Sequence, residues 1–362
     1  MLLSLILIFV LGYLGYRIFS FLHIPGGAVT GSLVTLAVIT SQGYEWVELS
    51  SYLITFMQII IGVMIGCRFK KEQIPVIKSI FIPGLISSAW MILISLAVGF
   101  LLAKTTGIDL GTALYASVPA GLFEMGLIAL SLSLSVPIVT LLQFVRVISI
   151  NLSLPVIVSN CDNWDKNGKT NCQLKTDKGK YPNPNNKIKQ SKATTKERAY
   201  IWEILLVLFL GSIGGFTAKY LGIPVGGMLG SMIVVGALRI AGMPLKELPP
   251  WLILITQIIV GGYLGTTFVP EMLSTLKSLL FPVLFFSIFV VLNGILIGFM
   301  FHRLLKWDLA TALLATAAGG VTLMTLTAIE INADPVRVSI TQTLRIVIIL
   351  LIMPTLILRI IS

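Results

Sequence analysis

The sequence predicts an all-α polytopic membrane protein made of two inverted-topology repeats, with about ten spanning helices plus re-entrant or broken segments. Three observations predict it. Hydrophobic residues make up 56% of the 362 and charged residues only 11%, whereas a soluble domain carries roughly 25% charged residues to coat its surface. Apolar stretches close to the roughly 20 residues that a spanning helix requires recur along the whole chain. The second half answers the first at an offset of 199 residues (223 − 24), as Ile24-Pro25 and Ile223-Pro224 illustrate. A soluble enzyme, a disordered chain and a disulfide-stapled secreted module are excluded by this composition.

In order, the first-half segments are 2–21, 25–41, 50–67, 74–103, 110–134 and 136–158. Segment 2–21 has the apolarity of a signal peptide, but no basic residue precedes it and no small-residue cleavage site follows. It reads as a first anchor, its start outside and Arg17 inside. Residues 160–199 differ in kind: the Lys and Arg between Lys166 and Arg198 outnumber Asp162, Asp165, Asp177 and Glu197, with Asn, Pro and Gly between them. Too little apolar surface is present to offset the entropy of ordering, so this stretch reads as a hydrophilic linker. The second-half segments are 200–221, 223–241, 250–268, 273–302, 309–330 and 335–361. The organisation is therefore 1–159, a first membrane repeat; 160–199, a Lys-rich cytoplasmic linker; and 200–362, a second membrane repeat.

Polar residues establish the duplication. Gln58-Ile59-Ile60 recurs as Gln257-Ile258-Ile259, and Asp109, Gln143, Arg146 and Pro155 recur as Asp308, Gln342, Arg345 and Pro354. Compositional bias would match Leu with Ile, but not Gln, Asp, Arg and Pro in one register. Loop charges then set the sense of each copy. In the first half, basic residues follow the first and third segments (Arg17; Arg68, Lys70, Lys71, Lys78); in the second they follow the second and fourth (Arg239, Lys246; Arg303, Lys306). Under the positive-inside rule this shift turns the copies upside down relative to each other and places the linker, with Cys161 and Cys172, in the reducing cytoplasm. Inverted copies need an odd number of crossings, so one of the six segments must be re-entrant or broken. The fifth is chosen for its mid-segment Pro119-Ala120-Gly121 and Ala318-Gly319-Gly320, with the sixth as the alternative. The net charge of +11 thus resides in the linker and loops, which points away from nucleic acid as a partner.

Two basic residues belong to neither place. Arg146 stands three residues after Gln143 on one helical face of the sixth segment, and Arg345 repeats this with Gln342. An Arg at the centre of an apolar helix costs about 2.5–3.5 kcal/mol on insertion scales, so it faces a partner or a watery cavity. Two readings stand: the arginines attract an anionic or carbonyl-bearing solute, or each pairs internally, for example with Glu124. The candidate solute-binding set is Arg146, Arg345, Gln143 and Gln342, with Gly121 and Gly320 at the breaks. Glu124, whose counterpart is Leu323, is the candidate position for a coupling ion. Asp109 and Asp308 read as helix N-caps, Glu330 and Asp334 as interfacial, and Gln58 and Gln257 as interhelical ties or solute contacts. Gly27-x3-Gly31, Gly62-x3-Gly66, Gly226-x3-Gly230 and Gly261-x3-Gly265 read as close helix contacts. His23, His302 and three scattered cysteines offer no metal-ligand spacing, and no Walker A, G-x-S-x-G or triad occurs. The expectation is no enzyme, no metal and no cofactor.

These features resemble the bacterial AbrB-type membrane family, the AbrB duplication proteins. The resemblance rests on Ile24-Pro25-Gly26-Gly27 with Ile223-Pro224-Val225-Gly226-Gly227, on Pro119-Ala120-Gly121-Leu122-Phe123-Glu124-Met125 leading to Gln143-x2-Arg146, and on Gly319-Gly320-Val321-Thr322-Leu323-Met324 leading to Asp334 and Gln342-x2-Arg345. It covers nearly the whole chain outside 160–199, and departs from its own pattern at Ser135 against Asp334 and Pro119 against Ala318. It implies a multi-pass protein of the bacterial inner (plasma) membrane and a transporter. Older labels call some members ammonia monooxygenases, which the lack of metal ligands here opposes, or regulators of gene expression. The reading is a secondary, ion-coupled transporter of a small, anionic solute; the alternative is a membrane regulatory or sensor protein acting on gene expression through a cytoplasmic partner. Its partners are the solute and the lipid bilayer, and the sequence is compatible with a homo-oligomer.

The topology predicts that an impermeant maleimide applied to intact cells leaves Cys161 and Cys172 unlabelled and labels them after permeabilisation. Labelling on intact cells would invert the assignment.

Overall fold

Why each helix starts and stops is local, and the caps are legible residue by residue. In a computed structural model, which describes residues 2–22, 26–46, 49–165, 195–223, 225–270, 272–331 and 333–361, every element of regular structure is helical. The first half gives α1 (Leu2–Phe21), α2 (Gly27–Thr40), α3 (Ser51–Gly66), α4 (Ile74–Thr106), α5 (Leu110–Ser117), α6 (Leu122–Ser131) and α7 (Val136–Asp165). The second gives α8 (Thr195–Tyr220), α9 (Gly226–Ile240), α10 (Pro250–Gly265), α11 (Met272–Leu305), α12 (Leu309–Thr316), α13 (Val321–Glu330) and α14 (Pro335–Ile361). Asp109 and Asp308 each cap a helix, accepting from the amides of Thr112 and Thr311 at 2.8 Å, as expected of N-cap carboxylates. Ser50 does the same for α3. Gly107, at φ +71°, ends α4 in the left-handed conformation that spares glycine the Cβ clash. The linker between 166 and 194, with Cys172, and the residues His23, Ile24, Pro25 and Pro224 lie outside the described residues, as does the Cys161 side chain.

Among the described residues, five helices are long and apolar enough to cross a membrane: Ser4–Phe21, Lys71–Thr106, Trp202–Tyr220, Phe281–Leu305 and Pro335–Ile357. Shorter apolar helices of 10–17 residues, among them Gly27–Thr40, Ser51–Gly66 and Gly226–Ile240, lie between them. The outer faces are apolar too. Phe281, Leu93, Leu292 and Leu296 are more than half exposed, a surface that suits lipid and not water.

The predicted fifth segments are each split. Segment 110–134 is α5 and α6, separated by 118–121, and 309–330 is α12 and α13, separated by 317–320. Both double back. The amide of Ser135, just after α6, donates to Thr112 Oγ1 at the start of α5 (3.0 Å), and the amide of Asp334 donates to Thr311 Oγ1 (2.8 Å). The entrance and exit of each pair are thus adjacent, and the break lies at the tip of a helical hairpin.

Packing divides the helices into two groups. One comprises α1, α2, α3, α8, α9 and α10, and the other α4 to α7 with α11 to α14; the contacts joining them, α10 with α6 and α7 and α3 with α6, are slight. Glycine backbones make the first group close-packed. Gly15 lies on the carbonyl of Gly31 and Gly214 on that of Gly230, an approach only a residue without Cβ allows. Gly62 meets Met228 and Gly66 meets Met232, so α3 and α9 run in the same sense; Gly261 meets Val29 and Gly265 meets Leu33, so α10 runs with α2.

A methyl at Gly62 would strike the Met228 carbonyl and Ser231 Oγ, whereas at Gly84 the nearest atom lies 3.7 Å away. Gly62→Ala is expected to lower stability by about 1–3 kcal/mol. Gly84→Ala, inside α4, is expected to hold or gain about 0.5–1 kcal/mol. Thermal unfolding of the two purified variants in one detergent checks the difference.

Candidate functional site

A helix that ends inside an apolar bundle leaves carbonyls without partners, and no water is there to satisfy them. The Gln-x2-Arg pairs do this in both halves. Gln143 donates from Nε2 to the carbonyls of Ala116 (3.3 Å), in the last turn of α5, and Val118 (2.9 Å), just past its end. Arg146 donates from Nη1 to Val118 (3.0 Å) and from Nη2 to the carbonyl of Ala120. In the second half, Gln342 donates to Leu314 and Ala317 at 2.7 Å each, and Arg345 donates from Nη1 to Thr316 (3.0 Å) and Ala317 (3.1 Å). Arg345 also donates to Gln342 Oε1 at 2.6 Å. Two hydroxyls anchor the same turns to the neighbouring long helix: Ser117 to the Ser95 carbonyl at 2.7 Å and Thr316 to that of Gly294 at 2.9 Å. Cationic donors at a helix C-terminus also match its partial negative charge.

The two tips meet at one cavity of about 640 Å³ on the seam between the packing groups. Pro119-Ala120-Gly121 and Ala318-Gly319-Gly320 line it, with Glu124, Arg146 and Arg345; from the other group come the start of α2, Arg68, Glu247 and Gln257. The amide ends of α6 and α13, N-capped by Gly121 and Gly320, border this space. The tips therefore offer positive partial charge to the cavity, while their negative ends are covered by the arginines.

Of the predicted site residues, Arg146, Arg345, Gly121, Gly320 and Glu124 converge on the cavity. Gln143 and Gln342 stand behind the breaks, wholly buried, and serve the backbone. Glu124 is 4% exposed; among the described residues it forms no ion pair with Arg146, and its carboxylate folds back against Gly121. Gln58 is a tie, donating to Ser131 Oγ at 2.6 Å, whereas its counterpart Gln257 lines the cavity. His302 Nδ1 lies 2.7 Å from the Trp307 carbonyl. Among the described residues, no group of three or more His, Cys, Asp and Glu could hold a metal ion.

Sequence reasoning missed Arg68 and Glu247. A basic residue directly after an apolar segment looks like any orientation charge, and only the fold brings Arg68 to the cavity wall. Burial holds the Arg68 guanidinium below its ordinary pKa, and the carboxylates of Glu124 and Glu247 oppose that shift. Glu247 is itself engaged by Lys70 at 3.1 Å and Arg239 at 3.9 Å.

Comparison with known proteins adds three findings. A family model described as "Transition state regulatory protein AbrB" matches residues 1–161 and 179–361. The chain is 25% identical over 349 residues to "Putative regulator AbrB" of Escherichia coli (strain K12), covering 92% of this chain and 89% of that one. It is 24% identical over 306 residues to "Uncharacterized protein YhjN" of Bacillus subtilis (strain 168), covering 82% and 76% respectively. No solved structure matches.

The clamp predicts that Gln143→Leu, which removes the side-chain donor to the Ala116 carbonyl and one of the donors to Val118, costs about 1–3 kcal/mol. Arg345→Lys is expected to be destabilising as well, since a single ammonium does not reproduce the planar fork. Both should lower the unfolding temperature in detergent, and an unchanged value for Gln143→Leu would contradict the clamp.

Proposed function

The chain belongs to the AbrB family, and on that footing we propose that it is a secondary, ion-coupled transporter of a small anionic solute, working by alternating access between two inverted repeats. The observation that carries the reading is the convergence of both broken segments and both buried arginines on one cavity at the seam of the two helix groups. Interrupted backbone at matching places in two halves, with helix amide ends facing a common space, is how secondary transporters hold charged solutes.

The shared sense of α3 with α9 and of α2 with α10 supports opposite orientations for the two halves. Hairpins that double back leave five crossings in each half, ten in all, with the 160–199 stretch and the Arg68 and Glu247 end of the cavity wall toward the cytoplasmic side. The slight contacts across the seam let one group rock or slide against the other while the hairpin tips keep their shape, held by the Gln and Arg donors. The long apolar helices suit a membrane, and the proposal places the protein in a bacterial inner (plasma) membrane.

The word "regulator" in the name of the Escherichia coli relative, and "regulatory" in the family description, favour a second reading. In it, the Lys-rich linker is a handle for a cytoplasmic partner.

One experiment separates the two. Small anionic metabolites are screened for thermal stabilisation of the purified protein, followed by flux in proteoliposomes, for wild type, Arg146→Ala, Arg345→Ala and a deletion of 166–194. The transporter reading expects a stabilising solute whose affinity falls at least tenfold in each arginine variant, and flux that survives the deletion. A solute equally effective on both variants would sink the arginine site. Flux absent throughout, with a regulatory effect lost on deletion, would favour the second reading.

A further inference from the structure

The two N-caps that border the cavity, Gly121 before α6 and Gly320 before α13, occupy equivalent positions in the two halves but differ in what covers them. At Gly121 the carboxylate of Glu124 lies over the amide end of its own helix, against the glycine Cα. Glu124 is 4% exposed and its Oε2 has no hydrogen-bond partner. At Gly320, φ is +93° and no atom lies within 4 Å of where a Cβ would stand. The counterpart of Glu124 there is Leu323, an apolar residue of the cavity wall. Both helices have 10 residues, long enough for the amide end to carry a partial positive charge. One of two matching anion cradles is therefore filled by a carboxylate of the chain itself, and the other is open to the cavity.

Charge around the open cradle favours an anion. Arg345 and Arg146 are 3% and 4% exposed, and each keeps an Nε without a partner although the rest of its guanidinium serves carbonyls. Arg68 adds a third positive charge, while Glu247 is taken up by Lys70 and Arg239. That leaves Glu124 alone against three arginines. Most of the remaining wall is apolar, with Phe123, Ile253, Leu254 and Val321 among its residues beside the polar Tyr16, Thr30 and Gln257, which suits a largely hydrocarbon body better than a sugar or a bare inorganic ion.

We propose that the solute is a monocarboxylate with an apolar body, bound with its carboxylate at the Gly320 end of α13 and with the arginines as counter-charges. Glu124 holds the equivalent place at α6 and so turns away a second anionic group. Binding of this solute class stands on the cavity alone, and only its passage across the membrane rests on the transporter reading. Dicarboxylates of the same length are disfavoured because their second charge meets Glu124 where a neutral methyl end would not.

The test uses the purified full chain in detergent, with thermal unfolding read against concentration of hexanoate, hexanamide and adipate. Wild type is expected to be stabilised saturably by hexanoate, not by hexanamide, and at least tenfold more weakly by adipate. Glu124→Gln should raise the affinity for adipate relative to hexanoate at least tenfold. Leu323→Glu, which puts the same carboxylate in the second cradle, should weaken hexanoate at least tenfold more than the neutral Leu323→Gln does. Equal stabilisation by hexanamide and hexanoate, or an unchanged adipate-to-hexanoate ratio in Glu124→Gln, would overturn the proposal. That ratio decides the matter even if Leu323→Glu does not fold. Hexanoate binding with this pattern but no hexanoate flux in proteoliposomes contradicts transport and leaves the site assignment standing. Flux of another solute with no carboxylate binding does the reverse.

Discussion

Backbone groups at a helix break must find partners, and in an apolar bundle only protein can provide them. The rest of the site depends on this constraint. Each hairpin tip has a carbonyl end and an amide end. The carbonyl ends are met by Gln143 with Arg146 and by Gln342 with Arg345, so what remains facing the cavity is the amide ends and the unspent part of two guanidinium groups. A structural clamp and an anion-attracting surface are therefore one arrangement seen from two sides. Each arginine is structural toward the backbone behind it and, in the proposed reading, a counter-charge for the solute in the space in front.

Packing places this rigid motif where motion is possible. Glycine contacts such as Gly15 on Gly31 and Gly62 on Met228 weld α1, α2, α3 and α8, α9, α10 into one body, and the hairpins with the long helices α4 and α11 form the other. A contact as close as those glycines make has two discrete states at most, packed or apart, and so does not flex. In the proposed alternating-access reading, the thin seam with the cavity on it is the place for relative movement, and the tips would travel as units because the Gln and Arg hydrogen bonds that hold them are internal to one group.

Much of this was legible in the sequence. The matching register of Gln143-x2-Arg146 and Gln342-x2-Arg345 singled out the four side chains that hold the breaks, and Pro119-Ala120-Gly121 with Ala318-Gly319-Gly320 located the breaks themselves, because few residues interrupt a buried helix without cause. The three-residue spacing of Gln143 and Arg146 put both on one face, which is why both reach the α5 end. Other features were not legible. Gln143 and Gln342 looked like solute contacts, since an amide serving a carbonyl and one serving a ligand have the same sequence signature. Glu124 could pair with Arg146 as well as with a helix end, and only the folded hairpin sets its carboxylate against Gly121. Arg68 and Glu247 join the cavity through contacts between distant segments, which no local pattern encodes.

The central claim is that the two hairpin tips share one watery, anion-attracting space. It is tested most directly by single cysteines at Ala120 and at Ala318, both lining the cavity, in a background lacking Cys67, Cys161 and Cys172. Their rates of modification by anionic and cationic methanethiosulfonates of similar size are compared, each normalised to its reaction with a free thiol. Both positions are expected to react from the same side of the membrane and faster with the anionic reagent. Reaction at one tip only, or faster reaction with the cation, would contradict the shared anion-attracting space.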